Sequence, residues 1–198
     1  MYSTIRILRS EHTSLVSLLR MAMSLVAKSR EQGKAPDFTS LRAMLFYIAE
    51  FPERHHHRKE SALLFPRLRA RTPLARALLD QLDDDHARGE ARIRELEHSL
   101  VAFEMLGETR RAVFERALAR YVDFYLVHMS LEEHEIFPLA DRVLHARDWE
   151  ELDEEFGAGL DALTGADPEE EYVELFARIR RHLPELPRDG GELAGLSG

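Results

Sequence analysis

Cysteine is absent from all 198 residues, which excludes disulfides, thiolate metal sites and a cysteine nucleophile, so any metal here must be held by nitrogen and oxygen. No stretch approaches the roughly 20 apolar residues of a membrane span, and Met1 to Leu8 lacks the apolar core and small-residue cleavage site of a secretory leader. A soluble, unexported, cytoplasmic protein with no membrane partner is expected. An alternating apolar and polar strand pattern is missing too, which leaves helices as the building material. An extended basic surface is also lacking. The net charge of -9 is concentrated, because Trp149 to Glu171 holds ten acidic residues and no Lys or Arg, leaving -9 minus -10, or +1, for the rest. A nearly neutral body with an acidic appendage argues against a nucleic-acid partner.

What is present is ordinary globular composition, 44% hydrophobic and 32% charged, enough for one domain with a sizeable core. Apolar residues recur at helical spacing in Ile5, Leu8, Leu15, Leu18, Leu19 and again in Leu41, Leu45, Ile48. Reversal signals fall at Gly33 to Pro36, with Asp37 or Thr39 as the following N-cap, at Thr72 and Pro73 as N-cap and first turn, and at Gly107. They predict an all-α fold, an up-down-up-down four-helix bundle over residues 1–146 with helices at about 3–32, 38–70, 73–106 and 108–146. Short helices over Trp149 to Phe156 and Glu169 to His182 are expected in a 147–183 extension that packs on the bundle. The tail, 184–198, is expected to be irregular.

One motif is written twice. His56, Glu60, Phe65 and Pro66 recur as His128, Glu132, Phe137 and Pro138, and 128 minus 56 is 72 residues. Residues four apart on a helix share a face, so each copy presents an imidazole and a carboxylate in one direction. His12 and His86 lie on the other two helices. The midpoints of 12 and 56, 56 and 86, and 86 and 128 are 34, 71 and 107, each on a reversal signal. In antiparallel helices of constant rise, residues equidistant from a turn share one height, so the four histidines are expected in one layer. Glu11 before His12 and Asp85 before His86 extend the echo to a duplicated helix hairpin. Pro66 and Pro138 should bend their helices or end the regular part, with Phe65 and Phe137 packing below the layer.

Four imidazoles and two carboxylates suit two metal ions, each taking two imidazoles, with Glu60 and Glu132 shared and an oxo or hydroxo bridge between the ions. About five ligands each would leave a position for a small molecule. Nitrogen and oxygen donors without thiolate favour iron, with manganese or zinc as the other choices. Ferritin-type sites need a Glu on each helix that lacks Glu-x-x-His; here the first helix offers only Glu11. His55, His57 and His134 are expected to point around their helices, on the surface or behind the ligands. Tyr125 is read as a core residue or a neighbour of the site.

The ordered set Glu11-His12, His56-His57-x-Lys59-Glu60 with Leu64-Phe65-Pro66, Asp85-His86, and His128-x3-Glu132 with Ile136-Phe137-Pro138 resembles the hemerythrin-like family, the HHE cation-binding domain. The resemblance covers residues 1 to about 146. It implies a non-haem di-iron centre in a four-helix bundle that binds oxygen, nitric oxide or peroxide. His12, His56, His86 and His128 would be terminal ligands, and Glu60 and Glu132 bridges. The oxygen carriers of that family repeat His at a spacing of four on the third helix, where this chain has Glu90, either a seventh ligand or a neighbouring or exposed residue. The set is also similar to di-iron proteins of iron-centre repair, although their Cys-bearing segment has no counterpart in this sequence. Sensing, detoxification or iron handling is the first expectation. The second is an oxidoreductase supplied by a redox partner protein, and the third a helical interaction module with a structural metal, in which residues 149–171 contact a basic partner.

Overall fold

Apolar residues three and four apart wind four long rods, and no strand occurs among the described residues, which in this computed structural model are 2–157, less the side chains of 52–54, and Ile179. The first rod, α1, is Ser3–Glu31. The second, α2, covers 38–71 as Phe38–Ile48, a π-helical stretch Ala49–His56, one α turn His57–Lys59, a second π stretch Glu60–Leu64 and a last α piece Phe65–Arg71. The third, α3, is Arg76–Leu106. The fourth, α4, covers 111–143 as Arg111–Leu131, the π stretch Glu132–Ile136 and Phe137–Val143. A short α5, Ala146–Gly157, follows. None of these helices is long and apolar enough to cross a membrane.

Local chemistry explains most boundaries. Asp37 Oδ1 accepts the Ser40 N–H at 3.1 Å and caps α2. Gly33 and Gly107, with φ of 62° and 73°, occupy the left-handed region at the ends of α1 and α3, where a side chain would strain the turn. Thr72 and Pro73 do not start α3. Thr72 is extended, as an N-cap is (φ -153°, ψ 138°), and its Oγ1 accepts the Leu74 N–H at 3.2 Å, but what it caps is a turn closed by the Arg76 N–H on the Pro73 carbonyl at 3.2 Å, and α3 begins only at Arg76. The fourth rod stops at Val143, short of the expected 146, because Leu144 is extended and opens α5.

Cross-contacts fix the directions of the rods. Ser29 and His12 on α1 meet Arg111 and Glu133 on α4. Arg42, Ser61 and Arg69 on α2 meet Glu104, Asp83 and Asp80 on α3. Glu95 and His86 on α3 meet Arg120 and His128 on α4. In each pair one number rises as the other falls, so these neighbours run antiparallel.

Both motif prolines follow a π stretch. Proline has no N–H for the i-4 carbonyl, and its ring would collide with that carbonyl; a wider turn avoids the collision. The expected bend therefore takes the form of a π turn, and each π turn begins on a motif carboxylate, Glu60 or Glu132. At this height the interior is polar, and it divides the apolar residues into two cores. Leu15, Leu45, Ile93, Leu118 and Tyr125 belong to one, together with Ile179. Leu8, Leu64, Leu82, Ile136 and, from α5, Trp149, Leu152 and Phe156 belong to the other.

The last described helix is fastened by charge as well as by its apolar face. Asp148 accepts the His145 N–H at 2.8 Å, in the manner of the third helical residue of a capping box, and takes two bonds of 2.8 Å from Arg71. Asp153 accepts the backbone N–H groups of Ser3 and Thr4 at 3.2 and 2.8 Å, so α5 caps the open N-terminus of α1. These bonds outweigh burial and hold the Asp153 carboxyl below its ordinary range, so its contribution is present above the unfolded value and is lost as the pH falls through the folded one. Asp153→Ala is expected to cost about 1 kcal/mol, about 2–4 °C in a thermal melt at pH 7, and to cost progressively less below about pH 4. The helix expected over Glu169 to His182, apart from Ile179, and the tail 184–198 lie outside the described residues.

Candidate metal centre

Each rod delivers its chemistry to the polar layer through a buried side chain. His12 comes from α1, His56 and Glu60 from α2, His86 from α3, and His128 and Glu132 from α4; none is more than 8% exposed. The imidazoles meet in two pairs, with Nε2 to Nε2 distances of 3.1 Å for His12 and His56 and 3.2 Å for His86 and His128. The edge of an octahedron built on bonds of about 2.1 Å is about 3.0 Å, so each pair is spaced for neighbouring positions on one ion. Glu60 Oε2 lies 3.4 Å from His56 Nε2 and 3.5 Å from His86 Nε2. Glu132 lies 3.3 Å from both His12 and His128 through its two oxygens. Each carboxylate thus reaches across both pairs. All four of their oxygens are buried without a hydrogen-bond partner, an expensive arrangement for a carboxylate unless a cation completes it.

Three of the four outer ring nitrogens are held by groups that fix the tautomer, whereas His128 Nδ1 has no hydrogen bond and lies 3.9 Å from Asp85. Ser61 Oγ donates its one hydrogen to Asp83 at 2.5 Å, so its 2.8 Å contact with His86 must be an Nδ1–H donated by the imidazole. His12 Nδ1 faces Glu133 Oε1 at 3.0 Å, and His56 Nδ1 faces Glu11 Oε2 at 2.6 Å. An Nδ1–H directed outward leaves the Nε2 lone pair directed inward, which is the orientation a metal ligand needs. Phe137 stacks on His12 and Phe65 on His86, at 5.7 and 5.6 Å between centroids, so the repeated phenylalanines form the apolar floor of the layer. Two donor quartets result, His12, His56, Glu60 and Glu132, and Glu60, His86, His128 and Glu132, with the ligand atoms of each within 4.8 Å of one another.

The hemerythrin HHE cation binding domain model matches residues 3–140. The chain belongs to this family. Among curated proteins, none matches it. This HHE domain is accordingly a cation-binding domain, and the donors just described are nitrogen and oxygen atoms of the kind that bind iron.

Six of the seven residues expected to hold metal come together, and Glu90 does not. The buried positions of α3 are 79, 82, 86, 89, 93, 96, 99, 100 and 103, which apart from Ser99 alternate in steps of three and four. Glu90 falls beside that seam, exposed, and binds Arg94 at 3.3 Å one turn later. The interior follows a 3.5-residue repeat, so a residue four beyond His86 is carried off the seam. His134 is exposed, and His57 is buried at 4% behind the ring of His86. A flank that faces outward on a lone helix is covered here by His86 and Tyr125 from neighbouring rods. Glu133, Ser61 and Asp83 were not foreseen as orienting groups; their only sequence signal is position, 133 and 61 each following a motif carboxylate.

Without metal, this HHE domain stores protons. Burial lowers the His12 imidazole, but Glu132 and Glu133 outweigh it and bring it to about 9. His128 is raised too, its burial outweighed chiefly by Glu132. Burial, reinforced by the Glu132 charge, carries Glu60 well above the carboxylate range, while Glu132, despite its burial, is held well below it by His128, His12 and His86. Burial takes His86 down to about 4. Metal needs neutral imidazoles and ionised carboxylates, so uptake at neutral pH must expel the proton of His12, and the upward shifts of Glu60 and His128 act in the same direction. Iron(II) affinity of the metal-free protein is expected to rise steadily from about pH 6 to about pH 9, with proton release visible to an indicator dye in weak buffer. A flat affinity over that range would contradict this charge arrangement.

Proposed function

We propose that this HHE domain holds two iron ions, one between His12 and His56 and one between His86 and His128, with Glu60 and Glu132 shared. In this reading it is a cytoplasmic protein that binds oxygen, nitric oxide or peroxide for sensing, detoxification or iron handling. The observation that carries it is the pair of buried carboxylates, each without a hydrogen bond and each reaching both histidine pairs. Two nitrogens and two shared oxygens give each ion four protein donors, fewer than the six positions iron commonly fills, so room for a small ligand remains. When bound, iron supplies an electron-rich open position for such a ligand. The chain's own residues hold and aim the donors: Glu11, Glu133 and Ser61 set the imidazole tautomers, and Phe65 and Phe137 keep water from the floor of the layer.

Metal analysis of the protein purified without chelator, followed by visible spectra before and after oxygen, peroxide, nitric oxide and azide, tests this reading. About two irons per chain and ligand-dependent bands are expected. Less than one iron, or spectra indifferent to every ligand, would sink it. Sustained consumption of peroxide or nitric oxide with an external reductant would make the protein an oxidoreductase with a redox partner.

A further inference from the structure

The two halves of the centre are related residue by residue through the 72-residue repeat. His56 answers to His128, Glu60 to Glu132, Phe65 to Phe137 and Ser61 to Glu133, and each pair occupies matching places in the layer. At the next position the correspondence fails in chemistry. His57 plus 72 is Met129. Both are buried, at 4% and 5%, and both adjoin a histidine of the layer, but an imidazole carries an N–H in either tautomer and a thioether carries none.

His57 is placed at the site. Its ring lies 4.1 Å from that of His86 at 12° and 5.7 Å from that of Tyr125 at 9°. Phe65 lies 5.6 Å from His86 at 13°, so the four rings are nearly parallel. A ring nitrogen of His57 is within 4.8 Å of ligand nitrogens of both His86 and His128. That proximity alone would make His57 a third imidazole ligand. Stacking argues otherwise, because the lone pair of an imidazole lies in the ring plane, and two parallel rings 4.1 Å apart cannot both aim lone pairs at one ion. His57 stands beside the ion's position, where a molecule occupying an open coordination site would meet its edge.

We infer that His57 is the specificity-determining hydrogen-bond donor of this centre, so that ligands able to accept a hydrogen bond are held on the ion between His86 and His128. The inference rests on the di-iron reading above. Its ligand class is small, anionic or polarised and oxygen- or nitrogen-terminated, such as azide, superoxide or hydroperoxide.

The test uses the iron-loaded full chain with azide as probe, and compares His57→Met, His57→Gln and Met129→Leu with the parent. A charge-assisted hydrogen bond is commonly worth a factor of ten or more in affinity. His57→Met should therefore weaken azide binding about tenfold and shift the azide-to-iron band, with iron content unchanged. His57→Gln removes the stacking ring but keeps an N–H, and should retain most of the affinity; Met129→Leu should leave affinity and band as they are. Equal weakening by Met and Gln at position 57 would reduce His57 to a packing residue and overturn the inference. So would loss of an iron in His57→Met, which would make His57 a ligand, or a drop of the same size in Met129→Leu. Failure of the parent protein to take up iron would overturn the di-iron reading and this inference together.

Discussion

Stripping the metal should lower the melting temperature by about 10 °C or more, and replacing Glu60 with leucine should reverse part of that loss in the metal-free protein only. An ion that binds the folded chain and not the unfolded one stabilises by about 4 kcal/mol at a thousandfold excess over Kd, and a kcal/mol corresponds to about 2–4 °C in a chain of this size. The metal-free layer is costly because Glu60 and Glu132 place four oxygens in the interior without hydrogen bonds, and Glu60 must carry a proton there. Glu60 adjoins Leu64 and the lower core, so leucine at position 60 exchanges an unsatisfied carboxyl for packing. Glu60→Leu should thus raise the melting temperature of the chelated protein and lower that of the iron-loaded protein. Calorimetry of both forms checks the crossing. A variant that melts lower in both states would show that the carboxyl is satisfied without metal.

Glu132→Ala should empty the site more completely than removal of any single histidine. Glu132 approaches His12 and His128 at 3.3 Å and His86 at 3.8 Å, so in the proposed two-iron arrangement its loss would remove an oxygen donor from both ions at once. It is also the one motif carboxylate held ionised without metal, and so the negative charge in the layer that attracts incoming cations from the start. Iron content is expected to fall from about two per chain to near zero in Glu132→Ala, whereas His56→Ala should retain about one, held by His86 and His128. Elemental analysis beside circular dichroism separates lost metal from lost fold. Similar iron in the two variants would mean that Glu132 does not bridge.

The height of the site was legible in the chain because antiparallel rods turn arithmetic into geometry: reversals near 34, 71 and 107 are enough to bring His12, His56, His86 and His128 together. The ends of the helices were less so. Thr72 has the side chain and the extended backbone of an N-cap, yet what it caps is a turn that precedes the helix. Ligand and exposed neighbour were both open for Glu90 because spacing of four is shared by a lone helix and a packed one for a single turn, after which the bundle's tighter repeat decides. Residues such as Glu133 and Ser61 act across the layer on histidines 121 and 25 positions away, and no local pattern announces a partner so distant. The buried state of His57 likewise depends on what its neighbours cover.

The polar layer that splits the apolar residues into two cores also divides the cooperativity of the molecule. Every rod passes through it, so the chain is continuous, but the oily halves on either side touch chiefly by way of the six donors. With cations in place those donors bind all four helices into one seam, and opening either half disturbs the other. Without them the seam is a set of mismatched charges, and the half that includes α5 is free to open on its own terms. Metal occupancy then determines whether the protein behaves as one cooperative unit or as two joined ones.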